Sequence, residues 1–328
     1  MKAYKGFDKD MKCRGFQYEE GKEYQCDEAK LCGSGFHACE MPLDVFRYYK
    51  PSNSIYYEVE CDGVISKVGK YLSDSKFSCT KMKIGNRLSI AEIIKAQVNS
   101  VIEKIKSNRD KSGSYNGEGT MIASGTGSNA VAMEGNSNAI ASGTRSNAVI
   151  LDSESYAKAA GVQSTATASG SWSIATTFGD LSIAATSDFM SDAIASGTGS
   201  NAVTTGLTSN AVASGFGSNA VTTGFGSNAV TIGDGSNATV CCFRSNAVAL
   251  GFCSSAAALS CNSIALANGY YSRAKGEIGS YIVLTEWNKS ETELLCVKAV
   301  KITGKTYKPN VWYTLKGGKV VKHENQDD

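Results

Sequence analysis

Residues 200–235 read SNAVTTGLT, SNAVASGFG, SNAVTTGFG and SNAVTIGDG, four consecutive nonapeptides that begin with the same dipeptide and carry alanine at the third position. Extending this frame in both directions places serine at 128 and at every ninth position up to 272, seventeen rows without a slip, with alanine two residues after each serine. A fixed period of this length is the signature of a repeat architecture in which each unit buries its inner face only against its neighbours.

Within a row, serine, alanine and the next residue of the same parity are small: Ala132, Ala141, Ala159 and Ala213, or Thr204, Thr222 and Thr231. Side chains two residues apart share one face of a strand, so this face points into a thin interior. The opposite parity accepts Asn129, Tyr156, Asp192 and Arg273 at one site and Val131, Lys158, Thr176 and Val230 at the next, as an outer face does. Glycine follows the strand at 143, 170, 197, 206, 215, 224 and 251, where a corner calls for positive φ, and no proline interrupts the rows. The fold class is therefore mainly β, a parallel β-solenoid or β-roll of seventeen nonapeptides. A coil holds either two strands in a flat roll or three in a prism, and the short interior side chains favour the flat roll. Phe189, Phe216, Phe225, Phe243, Phe252 and Tyr270 fall at the turns and are expected to stack outside the corners.

The flanks carry different text, and the chain divides into an α+β domain at 1–110, a linker at 111–127, the solenoid at 128–276, a β-rich cap at 277–322 and a tail at 323–328. Tyr57, Val59 and Cys61 alternate with Tyr56, Glu58 and Glu60 as a half-buried strand, residues 77–84 give another, and Pro42 opens a short helix through Leu43, Val45, Phe46 and Tyr49. Ser89 and Glu92 form a capping box ahead of Ile90, Ile93, Ile94, Val98, Val101, Ile102 and Ile105, an amphipathic helix suited to covering the first coil. At the other end, Tyr281–Glu286 and Leu294–Ile302 read as strands, and Val311–Val321 as a hairpin around Gly317-Gly318.

Composition limits the function classes. The net charge is +2, and residues 128–276 hold five Lys or Arg against seven Asp or Glu, so the repeat offers no basic track to a phosphate backbone. Eleven cysteines, two of them adjacent at 241 and 242, fit reduced thiols better than a disulfide framework. The charged start MKAYKGFDKDMKC is unlike a signal peptide, and no run of 18 apolar residues occurs, so a bacterial host's cytoplasm is the expected location, with no membrane contact. Acids at the turns are sporadic, which excludes a calcium-binding roll needing a carboxylate in every turn.

Enzyme signals are thin. His37 and His323 are the only histidines, and no phosphate-binding loop is present. Cys13, Cys26, Cys32, His37 and Cys39 form either a buried structural cluster or, at non-standard spacing, a zinc site. The expectation is no enzyme, no cofactor and no metal.

Two resemblances extend this reading. The S-x-A spacing with corner glycine is similar to the β-roll heads of trimeric autotransporter adhesins, which implies a trimer. The segments KAYKGFDKDMKCRGFQYEEGKEY (2–24), SGFHACEMPLDVFRYY (34–49), GSYIVLTEW (279–287) and KPNVWYTLKGGKVV (308–321) resemble a family of phage- and prophage-encoded proteins whose two ends flank nine-residue Gly/Ala/Ser repeats. That resemblance implies a viral or prophage origin and assigns no activity. Faintly, Tyr4-Lys5-Gly6, Gly35-Phe36-His37 and Tyr57-Glu58-Val59-Glu60 also look like the ordered motifs of an ADP-ribosyltransferase, with solvent-facing strand glutamates as the simpler reading.

The outward aliphatic position carries the functional expectation. Taking alternate rows, one set holds Ile140, Ile194, Val212, Val230, Val248 and Leu266, broken only by Lys158 and Thr176; the other alternates Val131, Val149, Val203 and Val221 with Thr167, Ala185, Thr239, Ala257 and Lys275. If two strands make a coil, the sets lie on opposite sheets, and the first forms an exposed apolar stripe of the kind that marks an interface. The competing explanation is valine chosen for β-propensity. The expected protein is a non-enzymatic scaffold, a homo-oligomer through this stripe, that binds and blocks a host macromolecule such as a bacterial defence complex; the alternative is a virion fibre or spike. The Asn ladder at 129, 138, 147, 201, 210, 219, 228, 237 and 246 is expected to be amides satisfying one another rather than an ice- or sugar-binding face.

Overall fold

The protein was examined as a computed structural model that describes residues 1–51, 53–67, 75–107, 120–133 and 135–323; the side chains of 67, 98 and 101–107 also lie outside the description. The chain forms two compact units, residues 1–112 and 113–328.

In the first unit, β1 (Lys2–Phe7) is followed by a small hairpin of β2 (Lys12–Cys13) and β3 (Phe16–Gln17), then β4 (Glu23–Gln25), β5 (Phe36–Cys39), β6 (Ile55–Lys67) and β7 (Lys76–Leu88). The sheet order is β4-β7-β5-β1-β6, and β6 returns to pair with β7, so β7, β5, β1 and β6 close into a ring. The alternation seen around Tyr57, Val59 and Cys61 holds: these side chains join Phe7, Phe77, Met82 and Ile84 in the interior. Tyr56 is buried as well, on the other face, against Phe46. The segment opened by Pro42 is a 3₁₀ helix, Pro42–Arg47, with Leu43, Val45 and Phe46 buried. The helix α1 (Ile90–Ser107) starts at the expected capping box: Glu92 Oε2 accepts from Ser89 N at 2.7 Å, and Glu92 N donates to Ser89 Oγ at 3.3 Å. Of its apolar positions, Ile93 and Ile94 are buried, while Val98, Val101, Ile102 and Ile105 carry side chains outside the described residues.

The second unit is a parallel β-solenoid with two strands per coil. Each repeat strand pairs in parallel with the repeat strand 18 residues away, as Ala211 with Ala229 and Ala220 with Ala238, so alternate nonapeptides feed two separate eleven-stranded sheets. Sheet I runs from Thr120–Ser124 through Asn138–Ser142 and its successors to Ile264–Asn268, then takes in Tyr281–Trp287 and the antiparallel Leu294–Lys301. Sheet II runs from Asn129–Ala132 to Arg273–Gly276 and ends in the hairpin Tyr313–Lys316 and Lys319–Lys322. The roll is thus longer than the serine register indicates. Thr120–Ser124, assigned to the linker from sequence, is its first strand, and Tyr281–Trp287, assigned to the cap, is a further parallel strand. Ten steps of about 4.8 Å make each sheet roughly 48 Å along the stacking direction.

Between the sheets lie the alanines, from Ala130 through Ala220 to Ala274, all fully buried. The serines do more than fill space. Ser218 Oγ accepts the N–H of Ser200 in the previous coil at 3.2 Å and donates to the Gly197 carbonyl at 2.9 Å, and the same relation recurs at Ser182, Ser191, Ser209 and Ser227. Each hydroxyl therefore satisfies a buried amide that the strand ladder leaves over.

The corners fall into two alternating kinds. After sheet I strands, glycine stands at 143, 161, 179, 197, 215, 233, 251 and 269 with φ between +116° and +155°, and a Cβ on Gly215 would lie 2.5 Å from the Gly197 carbonyl oxygen. After sheet II strands the equivalent position has no positive φ among the described residues, so Gly170, Gly206 and Gly224, expected from sequence to need it, do not. The residue before each serine is left-handed at both corners, even where it is Leu181, Met190 or Thr208. Of the corner aromatics expected to stack, Phe225 lies on Phe243 at 5.8 Å and Phe252 on Tyr270 at 6.2 Å, whereas Phe189 meets Trp172 edge-on at 6.2 Å.

The C-terminal end is closed by side-chain bonding. Glu286 accepts from the N–H groups of Gly317 and Gly318 at 2.6 and 2.7 Å and so fixes the expected hairpin turn, and the Trp312 ring lies 4.7 Å from both Arg273 and Lys275 of the last repeat strand.

Candidate binding face of the roll

Ile140, Ile194, Val212, Val230, Val248 and Leu266 all sit on sheet I and point away from the interior. Strand register stacks them in one column, Ile122–Ile140–Lys158–Thr176–Ile194–Val212–Val230–Val248–Leu266–Val283, so the last six residues form an unbroken aliphatic run. Ile194 is 37% exposed, and the following members are half-buried by their own neighbours in the column.

Two further columns flank it. On one side the amides chain together: Asn210 Nδ2 donates to Asp192 Oδ1, Asn228 to Asn210 and Asn246 to Asn228, each at 2.9 Å. This is the mutual satisfaction expected of the Asn ladder, and it recurs on sheet II, where Asn219 donates to Asn201. On the other side stand Ser196, Ser214, Ile232 and Leu250, with Ile232 52% exposed. Sequence parity located the central column but not Ile122, Ile232, Leu250 or Val283, which lie outside the serine register or beyond the third same-parity site.

Sheet II differs. Its equivalent outward residues, Val149, Thr167, Ala185, Val203 and Val221, are all 0% exposed. The two alternating sets do lie on opposite sheets, and the sheet II set is buried at every position but Lys275.

The first unit holds the remaining candidates. Glu58 pairs with Lys2 at 2.7 Å and Glu60 is exposed, so the Glu-x-Glu pair sits on β6 as strand glutamates. His37 accepts the Cys32 N–H at Nε2 (3.1 Å), whereas Cys26 turns its thiol toward the carbonyls of Glu28 and Thr80. Among the described residues no group of three or more His, Cys, Asp or Glu is placed to hold a metal ion, and no disulfide joins any two cysteines. Burial, with the positive charges of Lys76, Lys5 and Arg14, pushes the His37 imidazole down to about 4. Among the described residues no helix is long and apolar enough to cross a membrane.

The family model described as Domain of unknown function (DUF7666) matches residues 1–96, which cover the ring of strands and the opening of α1 and leave the roll outside. No curated protein and no solved structure matches the chain.

Proposed function

We propose that this protein is a non-catalytic binding scaffold that associates with further copies of itself through the outer face of sheet I. The observation that carries this reading is the continuous column Ile194–Val212–Val230–Val248–Leu266–Val283, aliphatic in six successive strands and turned to solvent. Eleven strands about 4.8 Å apart, each about five residues of 3.3 Å, make a face on the order of 800 Å², the area one partner contributes to a standard-sized interface. Two such faces bring together aliphatic side chains and amides whose hydrogen bonds are already made along the ladder, so little polar desolvation opposes their contact. A repeat surface of this kind suits identical copies, because the same 18-residue spacing recurs on both partners. The blocking of a host macromolecule is the role we assign to the assembled form; the resemblance to phage and prophage proteins supports a viral origin and no more, and the N-terminal unit supplies the second contact.

Site-specific photo-crosslinking tests the face. A benzoylphenylalanine at Val230 is expected to give a covalent homo-oligomer on irradiation, and the same group at the corner residue Phe216, 65% exposed, is expected to give little. Equal yields at both positions, or none at Val230, would remove the assignment.

A further inference from the structure

In the ring of the first unit, β1 pairs with β6 over six positions and β5 with β7 over four, but β1 and β5 share one, Tyr4 with Cys39. The wall is therefore open along the β1/β5 seam. A cleft of about 220 Å³ lies there, walled by β1, β5, the Cys13–Arg14 corner of the small hairpin, the 3₁₀ helix and the start of β7. Gly6 lets the Tyr49 side chain pack directly on β1 at its edge, because a Cβ at that position would come within 2.6 Å of Tyr49.

The cleft is lined by Lys5, Arg14, His37 and Lys76 together with Tyr48 and Tyr49, and among the described residues no carboxylate lines it. Lys5 is 4% exposed and lies at its floor; its ammonium donates to the His37 carbonyl at 2.8 Å, sits 3.7 Å from Cys13 Sγ and faces the rings of Phe7 and Tyr18 at 5.3 Å. None of the ion pairs among the described residues involves the buried Lys5, which has no carboxylate counter-ion there. A buried cation in that position is costly unless an anion joins it. His37 is lowered mainly by burial, and the further lowering by Lys76, Lys5 and Arg14 agrees with an electropositive cleft.

We propose that this cleft binds a small oxyanion-bearing molecule, its phosphate or carboxylate group seated against Lys5, Arg14 and Lys76 with the Tyr48 and Tyr49 rings alongside. The anion supplies the missing counter-charge, and the Arg14 fork and the two ammonium groups that line the cleft are its donors. Such a site would give the N-terminal unit a ligand independent of the roll.

Isothermal titration of the full chain with inorganic pyrophosphate, and separately with citrate, distinguishes phosphate from carboxylate as the preferred group. One-site binding of at least one of them is expected, accompanied by an upward shift of the His37 pKa followed by NMR, since an anion beside the imidazole favours its charged form. The charged groups acting on His37 in that titration are Lys76, Lys5 and Arg14, and its Nε2 accepts the Cys32 N–H. Lys5→Met and Arg14→Gln should each weaken binding by about tenfold or more, the loss of one charge-assisted contact. Methionine keeps the lysine stem and removes a buried charge; should that variant fail to fold, Arg14→Gln, at an exposed position, decides alone. Absence of binding by both anions at millimolar concentration, or affinities and a His37 pKa unchanged in the variants, would overturn the site.

Discussion

At the scale of single residues, the serine and threonine hydroxyls of the roll interior behave oppositely. Ser218 bridges the Ser200 N–H and the Gly197 carbonyl, so Ser218→Ala leaves a buried amide unpaired and should lower stability by about 1–3 kcal/mol in urea unfolding. Thr222 lies in the same interior with a hydroxyl that has no protein partner, and Thr222→Val should leave stability unchanged or raise it. Ala220 is fully buried between the sheets, and Ala220→Leu should destabilise by about 1–3 kcal/mol or more; an unaltered melting temperature would mean that the inner and outer faces are exchanged. His37 gives a pH dependence. Its folded-state pKa of about 4 lies below the usual 6.5, so the unfolded chain takes up the proton first, and stability is full above about 6.5 and falls as pH drops toward 4. Chemical denaturation between pH 7 and 4 should show a shallower decline for His37→Gln than for the native chain.

At the scale of elements, the corners record how the coil is built. Gly215 has φ +122° and its missing Cβ faces a carbonyl, so Gly215→Ala should cost about 1–3 kcal/mol, whereas Thr208→Gly, at a left-handed corner with φ +53°, should gain up to about 1 kcal/mol. Thermal melting of the two variants checks both signs. This alternation also shows what was legible in the sequence. The nine-residue period, the inward Ser-x-Ala face and the outward aliphatic parity are local and repeated, and the structure carries all three. The choice of two strands per coil is encoded less openly: glycine recurs every 18 residues from 143 to 269, while the intervening corners hold Asp152, Gly170, Asp188, Gly206, Gly224, Cys242 and Ser260. A three-strand coil would have returned at 27. The bonding role of serine was hidden because it exists only once coils stack. The β1/β5 seam was hidden for a different reason: its depth depends on pairings between distant segments, and Lys5, Arg14 and Lys76 share no spacing that marks them.

At the scale of the whole molecule, we propose that the labour is divided between the units, assigning a sheet face on the roll to copies of the chain and a cleft in the N-terminal unit to a small anion. The sheet I face is the larger commitment, and a single charge placed in it is decisive. Val230 lies near the middle of the aliphatic run and points outward, so Val230→Lys leaves the alanine interior untouched and sets like charges against each other in any contact between equivalent faces. The direct measurement is the mass of the full-length chain in solution by light scattering at micromolar concentration, taken for the native protein and for Val230→Lys with their melting curves. Self-association through sheet I requires an oligomer for the native chain and a monomer of equal melting temperature for the variant; a native monomer, or an oligomer indifferent to the lysine, would contradict it.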